Sequence, residues 1–415
     1  MREMKDSGIE WAGVIPNTWN INKGKYFMEL LTRPTLETDE VITCFRDGEV
    51  TLRSKRREEG FTVSLTEAGY QGIEIGDLVV HGMDGFAGSI GISDSRGKAT
   101  PVLNVLDTKQ NKRYMMYLMR TMAYCELFLS LATGIRVRTC DTNWKKLREI
   151  DYILPTIPEQ KAIADFLDNE CDELNTLISD IQSQIEVLEE YKRSVITEAV
   201  TKGLDPDVEM RDSGIAWVGD IPAHWLVEKV KFHLQRNEPR NPGDKQVLSV
   251  YREYGVIPKD SRDDNHNVTS EDTSNYKYVV PGNLVINKMK AWQGSMGVSE
   301  YEGIVSPAYF IYKFTDNQIM PKYLHYLFRS CYKDEFRRIS GGIREGQWDL
   351  SPYEFSNTLL LIPPTDEQNR IVSYIDARIS EIEFAITEKK QQIETIKEYK
   401  KSLIFEYVTG KKEVV

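Results

Sequence analysis

The chain has 415 residues, 40% hydrophobic and 28% charged, with a formal net charge of −11. That is room for two to four domains of ordinary globular composition. No apolar run is long enough to span a bilayer, no signal peptide is seen, and five cysteines without a CxxC pair suggest reduced thiols, so a cytoplasmic protein is expected.

Taken in order, the chain is a tandem duplication. The lead-in Met4-Lys5-Asp6-Ser7-Gly8-Ile9-Glu10-Trp11 returns 206 residues later as Met210-Arg211-Asp212-Ser213-Gly214-Ile215-Ala216-Trp217. Ile15-Pro16 and Trp19 return as Ile221-Pro222 and Trp225. A period this long is that of whole domains, not of a solenoid. The expected parts are a lead-in (1–19), a first globular domain (20–156), a long helix (157–203), a linker with the second lead-in (204–219), a second globular domain (220–363) and a second long helix (364–415).

In the first globular stretch the β-branched, glycine-punctuated segments read as short strands, with Ile73 to Val80 the clearest and Ile90-Gly91-Ile92 next. Lys112 to Leu131 reads as one helix, and Thr133 to Thr139 as a loop. The second stretch repeats the plan. Gly282 to Ile286 falls on Gly76 to Val80, Gly294 to Val298 on Gly88 to Ile92, Lys322 to Arg338 reads as the helix, and Gly341 to Arg344 as the loop. The copies agree at glycines and apolar positions. They differ where exposure is expected: His81, Asp84 and Phe86 face Asn287, Lys290 and Trp292. The fold class expected is α/β (α+β), with two similar domains and two long helices.

Those helices, from about Pro158 to Lys202 and from about Asp366 to Thr409, superimpose at a shift of 208. In the first, Leu167, Leu174, Ile181 and Leu188 recur every seven residues, with Ile178 and Ile185 between them. In the second, Ile382, Ile396 and Leu403 share one row, and Ile379, Ile386 and Ile393 the other. Such a seam, held over five heptads in both copies, favours mutual pairing as an antiparallel coiled coil. Lys192 and Lys400 occupy matching seam positions, where a lone polar group fixes register. Thr365-Asp366-Glu367-Gln368 fits a capping box, and Gly203 and Gly410 are stop signals. The acidity is local: residues 157–203 hold eleven acids against four bases, which leaves the globular stretches near neutral.

Catalytic signatures are missing. There is no GxxxxGK[ST] loop, no GxGxxG after a strand, and the histidines lack metal-ligand spacing. Glu190-x-Lys192 and Glu398-x-Lys400 mimic a nuclease pair, but their lysines lie on the seam.

The order of lead-in, domain and long helix, twice over, resembles the specificity subunit of type I restriction-modification enzymes. The resemblance rests on Ile157-Pro158-Glu159-Gln160 with its helix to Thr201-Lys202-Gly203, on Asp366-Glu367-Gln368 with its helix, and on the two lead-ins. It implies a non-catalytic subunit with two target recognition domains, each reading half of an asymmetric bipartite DNA site. The helices would space the half-sites and dock two methyltransferase subunits, which bind S-adenosylmethionine. Restriction subunits driven by ATP, with Mg, would join through them, and the chain itself would hold no cofactor or metal. A pseudo-two-fold arrangement follows, with half-site centres about one turn of DNA, ~34 Å, apart. The alternative is a coiled-coil scaffold whose domains bind proteins, and a third reading is a nuclease with an unrecognised site.

Base and phosphate contacts call for Arg, Lys, Asn or Gln. The candidates are Arg53, Lys55, Arg56, Arg57, Arg136 and Arg138 in the first domain. In the second they are Lys288, Lys290, Trp292, Arg337, Arg338, Arg344 and Gln347.

Overall fold

The computed structural model describes residues 2–56, 68–130, 142–243, 245–252, 254–261, 272–342 and 348–414. The chain forms two compact units, and neither coincides with a half of the sequence. The first is Met1–Ile181 together with Lys390–Val415, and the second is Gln182–Lys389.

Each unit is built round a four-stranded antiparallel sheet. In the first unit its order is Met28–Leu30, Leu103–Thr108, Leu78–His81, Ile90–Ile92. In the second it is Leu234–Arg236, Tyr309–Phe314, Leu284–Asn287, Met296–Val298. Side chains alternate across a strand, and here both faces are covered. Leu78 and Val80 enter the main core while Val79 enters a smaller one with Ile42, Val50 and Val105. Leu284 and Ile286 are divided from Val285 in the same way. Hence the unbroken apolar runs Leu-Val-Val and Leu-Val-Ile, which a half-exposed strand would not carry.

The main core of the first unit joins three distant pieces of sequence. Ala12, Ile15 and Trp19 of the lead-in pack with Ile163, Ala164 and Leu167 of the first long helix and with Leu403, Ile404 and Val408 of the second. The lead-in, a hairpin of Met4–Asp6 and Val14–Pro16, thus seats on the end of the second long helix. Lys411 Nζ donates to Ala12 O (2.7 Å), and Arg2 pairs with Glu413 (3.0 Å). Gly410, at φ +71°, leaves no room for a Cβ, which would stand 2.4 Å from Pro16 Cδ. In the second unit the second lead-in meets the end of the first long helix in the same manner, with Gly203 at φ +75° beside Trp225.

The long helices run Ile157–Lys202 and Thr365–Val408. Within each unit their segments run antiparallel. In the first unit Phe166 packs on Tyr407 (centroids 4.4 Å apart) and Lys400 Nζ donates to Asn175 Oδ1 (2.7 Å). In the second, Lys389 reaches Gln184 and Lys192 Nζ reaches Glu383 Oε1 (2.6 Å). Leu167, Ile181, Ile185, Ile382, Ile386, Ile393 and Leu403 are buried, and Leu174, Ile178, Leu188, Ile379 and Ile396 are half-buried. The two seam lysines have equivalent partners, since Asn175 and Glu383 are themselves 208 residues apart. Burial holds the Lys400 ammonium below its usual pKa.

A buried glutamine bolts each globular domain to its helix. Gln160 Oε1 accepts from Asn111 N–H (2.9 Å), and its Nε2 donates to Gln110 Oε1 (2.6 Å) and Pro155 O (2.9 Å). Gln368 Oε1 accepts from Met320 N–H (2.7 Å), and its Nε2 donates to Gln318 O (2.7 Å) and Pro363 O (2.8 Å). The capping-box expectation for Thr365 to Gln368 is therefore corrected. The Gln368 amide ties the start of Pro321–Ser330 to the long helix, rather than turning back on its own first turn.

Three other sequence expectations are revised. Ile73 to Val80 is two strands, Gln71–Ile73 and Leu78–His81, parted by a turn in which the Asp77 carboxylate accepts from Glu74 N–H (2.9 Å). Lys112 to Leu131 breaks into Lys112–Tyr124 and Leu127–Ser130 around Glu126 at φ 59°. Lys322 to Arg338 breaks into Pro321–Ser330 and Lys333–Arg338. The loop Thr133 to Thr139 lies outside the described residues.

Candidate nucleic-acid interface

In the second unit several candidate side chains share one face. Strand Leu284–Asn287 is followed directly by Lys288, and the next turn, Ala291–Gln293, packs on helix Lys333–Arg338. The short hairpin Ser340–Gly341 with Asp349–Leu350 closes against the same place, with Leu350 N–H donating to Lys288 O (2.9 Å). Trp292 Nε1 donates to Met289 O (3.1 Å), and its ring lies 5.6 Å from that of Trp348. Lys288 stands 3.3 Å from Asp349, while Lys290 and Arg337 are exposed. Arg338 is forked on Glu335 (2.7 and 2.8 Å), whose hydrogen bond raises the guanidinium's pKa. Its charge is fixed in place before any ligand arrives. Arg344 and Gln347 lie outside the described residues.

In the first unit the candidates Arg53, Lys55 and Arg56 form the helical turn Arg53–Arg56. All three are engaged by their own fold. Arg53 Nε donates to Thr43 Oγ1 (3.0 Å), and burial lowers its pKa. Lys55 pairs with Asp94 (3.1 Å) and Ser95 Oγ (2.6 Å). Arg56 grips Asp47 (2.6 Å) and Glu49 (2.8 Å) and lies 4.1 Å over the Phe45 ring. A phosphate would have to compete with these carboxylates. Arg57, Arg136 and Arg138 lie outside the described residues.

One apparent surface difference has a structural origin. His81 Nδ1 accepts from Met83 N–H (3.2 Å) and Asp84 N–H (3.0 Å), and burial lowers the ring's pKa. Asn287 Oδ1 accepts from Met289 N–H (3.1 Å) at the equivalent place. Both side chains cap the same loop. The divergence that reaches solvent is Asp84 against Lys290 and Phe86 against Trp292.

Sequence reasoning passed over a second pair of cations. Arg46 and Arg252, 206 residues apart, stand at the tips of hairpins Ile42–Cys44/Val50–Leu52 and Leu248–Tyr251/Gly255–Pro258. Both are exposed. Arg46 reaches Asp84 (2.9 Å) and Arg252 reaches Gln293, so each leans over the variable loop. An arginine of the domain helix braces each tip: Arg120 Nη2 donates to Asp47 O (2.7 Å) and Arg329 to Arg252 O. A Cβ at Gly48 would stand 2.5 Å from Arg120 Nη1, and one at Gly255 2.9 Å from Arg329 Nη1. The signal was in the sequence, as a shared register of Phe45-Arg46 with Tyr251-Arg252.

Comparison with known proteins points one way. Residues 233–395 match the family model of the type I restriction modification DNA specificity domain. The putative type I restriction enzyme MjaX specificity subunit of Methanocaldococcus jannaschii is 23% identical over 325 residues, 74% of this chain and 71% of the relative. The MjaVIII specificity subunit of the same organism is 32% identical over 138 residues, 33% of this chain and 30% of the relative. Among solved structures, a chain from a study of complex assembly and conformational transition of the type I R-M system superimposes with TM-score 0.66 at 11% identity, covering 95% of this chain and 98% of that one. The HsdS subunit from Thermoanaerobacter tengcongensis does so with TM-score 0.50 at 12% identity, with the same coverage, and at such identities these two bear on the fold alone. Residues 233–395 therefore carry a type I restriction modification DNA specificity domain, and the chain is similar over 74% of its length to a curated specificity subunit.

Proposed function

We propose that the chain is the non-catalytic, DNA-reading subunit of a type I complex. Each globular domain reads one half of a bipartite duplex site. The long helices set the half-site separation and dock two methyltransferase subunits, and restriction subunits join through these. S-adenosylmethionine, ATP and Mg belong to those partners. Lys290, Trp292, Arg337 and Arg338 in the second unit, with Arg252, supply phosphate and base contacts, and Arg46 is the corresponding residue of the first.

The observation that carries this reading is one scaffold used twice with different solvent-facing loops. A strand end, its capping side chain and a braced hairpin tip recur in both units, yet Asp84 and Phe86 stand where the other unit has Lys290 and Trp292. A scaffold that reads two different half-sites needs that combination, because position is set by common parts and sequence by base-edge contacts. The test is co-expression with the methyltransferase subunit and a genome-wide map of methylated adenine. One two-part motif with a fixed gap is expected, and exchanging residues 220–363 for those of another specificity subunit should change one half of it only. A stable complex that adds no methylation would overturn DNA reading in favour of a protein-binding scaffold.

A further inference from the structure

Two aromatic residues with no evident duty in the fold stand exposed at the same place in both units. Tyr26 is 70% exposed and Phe232 60%, and they are 206 residues apart, like the lead-ins. Each follows a lysine, Lys25 or Lys231, whose Nζ lies 5.6 Å from the ring centroid in both units. Lys25 reaches Glu149 (2.8 Å) and Lys231 reaches Asn357 (3.4 Å), residues that are themselves 208 apart. The local backbone is not the same, a 3-10 turn Gly24–Tyr26 in one unit and an α-helical turn Val230–His233 in the other. The core is served by the flanking residues, Gly24 and Met28 or Val230 and Leu234, all buried.

A large apolar side chain kept in water at matching positions faces something that both units share. The half-site sequences are not shared, and the loops that would read them have diverged. The phosphate backbone is common to both half-sites, but this patch is poorly made for it. In the first unit Glu149 lies against both lysines, at 2.8 Å from Lys25 and 3.9 Å from Lys23. In the first unit the ring thus sits beside charges already balanced, the composition of a protein interface centre, and in the second the Lys231 ammonium meets the neutral Asn357 amide. The long helices carry the other recurring pair, Tyr191 and Tyr399, 50% and 53% exposed.

We propose that Tyr26 and Phe232 are equivalent anchors at which two copies of the methyltransferase subunit seat on the globular domains, one copy on each unit. This rests on the reading above, that the chain assembles with two such subunits. The full chain carrying Tyr26→Ser, Phe232→Ser or both is mixed with purified methyltransferase subunit, and binding is followed by native mass spectrometry and titration calorimetry. Each single variant should retain one tight site and weaken the other about thirtyfold, as for a central interface aromatic, and the double variant should weaken both. Thermal unfolding of the free variants should match the parent, since neither ring is in a core. Unchanged stoichiometry and affinity in the double variant overturns the anchor while leaving the assembly intact. If partner binding is unchanged and duplex affinity of the assembled complex falls, the patch contacts DNA and the proposal is wrong. If the parent chain forms no complex, the anchor fails together with the functional reading on which it rests.

Discussion

Substituting Gln368 by Met tests the joint between a globular domain and its long helix. The change nearly conserves volume and opens no cavity, so the effect is one of hydrogen bonding. Gln368 has no solvent exposure. Its loss orphans Met320 N–H and the carbonyls of Gln318 and Pro363, now held at 2.7 to 2.8 Å. An unpaired buried backbone group costs about 1–3 kcal/mol. Gln318 O, nearer the surface, can turn to water, which leaves a total of roughly 3–5 kcal/mol. In a unit of this size that lowers Tm by roughly 10 °C, and a large part of the usual 5–15 kcal/mol of stability is gone, in order-of-magnitude terms. Scanning calorimetry and urea unfolding of the full chain would measure it, with Gln160→Met as the twin in the first unit. Gln368→Glu sharpens the test. It keeps the acceptor for Met320 but turns a second oxygen towards two carbonyls, so it should be worse than Met at neutral pH and recover as pH falls and the carboxyl takes up a proton. A loss under about 1 kcal/mol for Met, or no recovery of the Glu variant in acid, would refute the assignment of the amide as the bolt.

Lys400→Met should stabilise the chain by about 1 kcal/mol at neutral pH, because a half-buried ammonium gives way to an apolar seam residue. The sign follows from burial, which lowers the Lys400 pKa from 10.5. The unfolded chain holds that proton more tightly, so the deficit is full below the folded pKa and disappears as pH rises past the unfolded value. Unfolding at several pH values checks whether the advantage of the variant fades towards alkaline pH. Arg252→Ala and Lys290→Ala should each flatten the salt dependence of duplex binding by the complex by about one ion and leave Tm unchanged. An unaltered salt slope would remove that residue from the interface.

The sequence by itself determined the duplication, the two long helices and their seam. These features depend on local periodicity. A heptad row keeps its face wherever the helix lies, and glycines at positive φ mark chain reversals in both copies. It also showed the Glu-Gln pair at the head of each helix, though not what the glutamine does. Capping-box logic assigned Gln368 to its neighbours in sequence, and the structure assigns it to Gln318, Met320 and Pro363 of the globular domain. The break at Glu126 was equally hidden, since its periodicity reads as one helix while a single residue at positive φ ends it.

What only the tertiary structure decided is which groups face each other across large sequence gaps. Each unit closes over the end of the other copy's long helix, so the compact bodies are not the sequence halves. Cation counting selected Arg53, Lys55 and Arg56, and the fold spends them on Thr43, Asp94, Asp47 and Glu49. The same counting did not single out Arg46 and Arg252, because exposure at a hairpin tip and bracing by Arg120 or Arg329 are properties of a folded surface. Charge and periodicity are written residue by residue, whereas the availability of a charge depends on the partners that folding brings within about 3 Å of it.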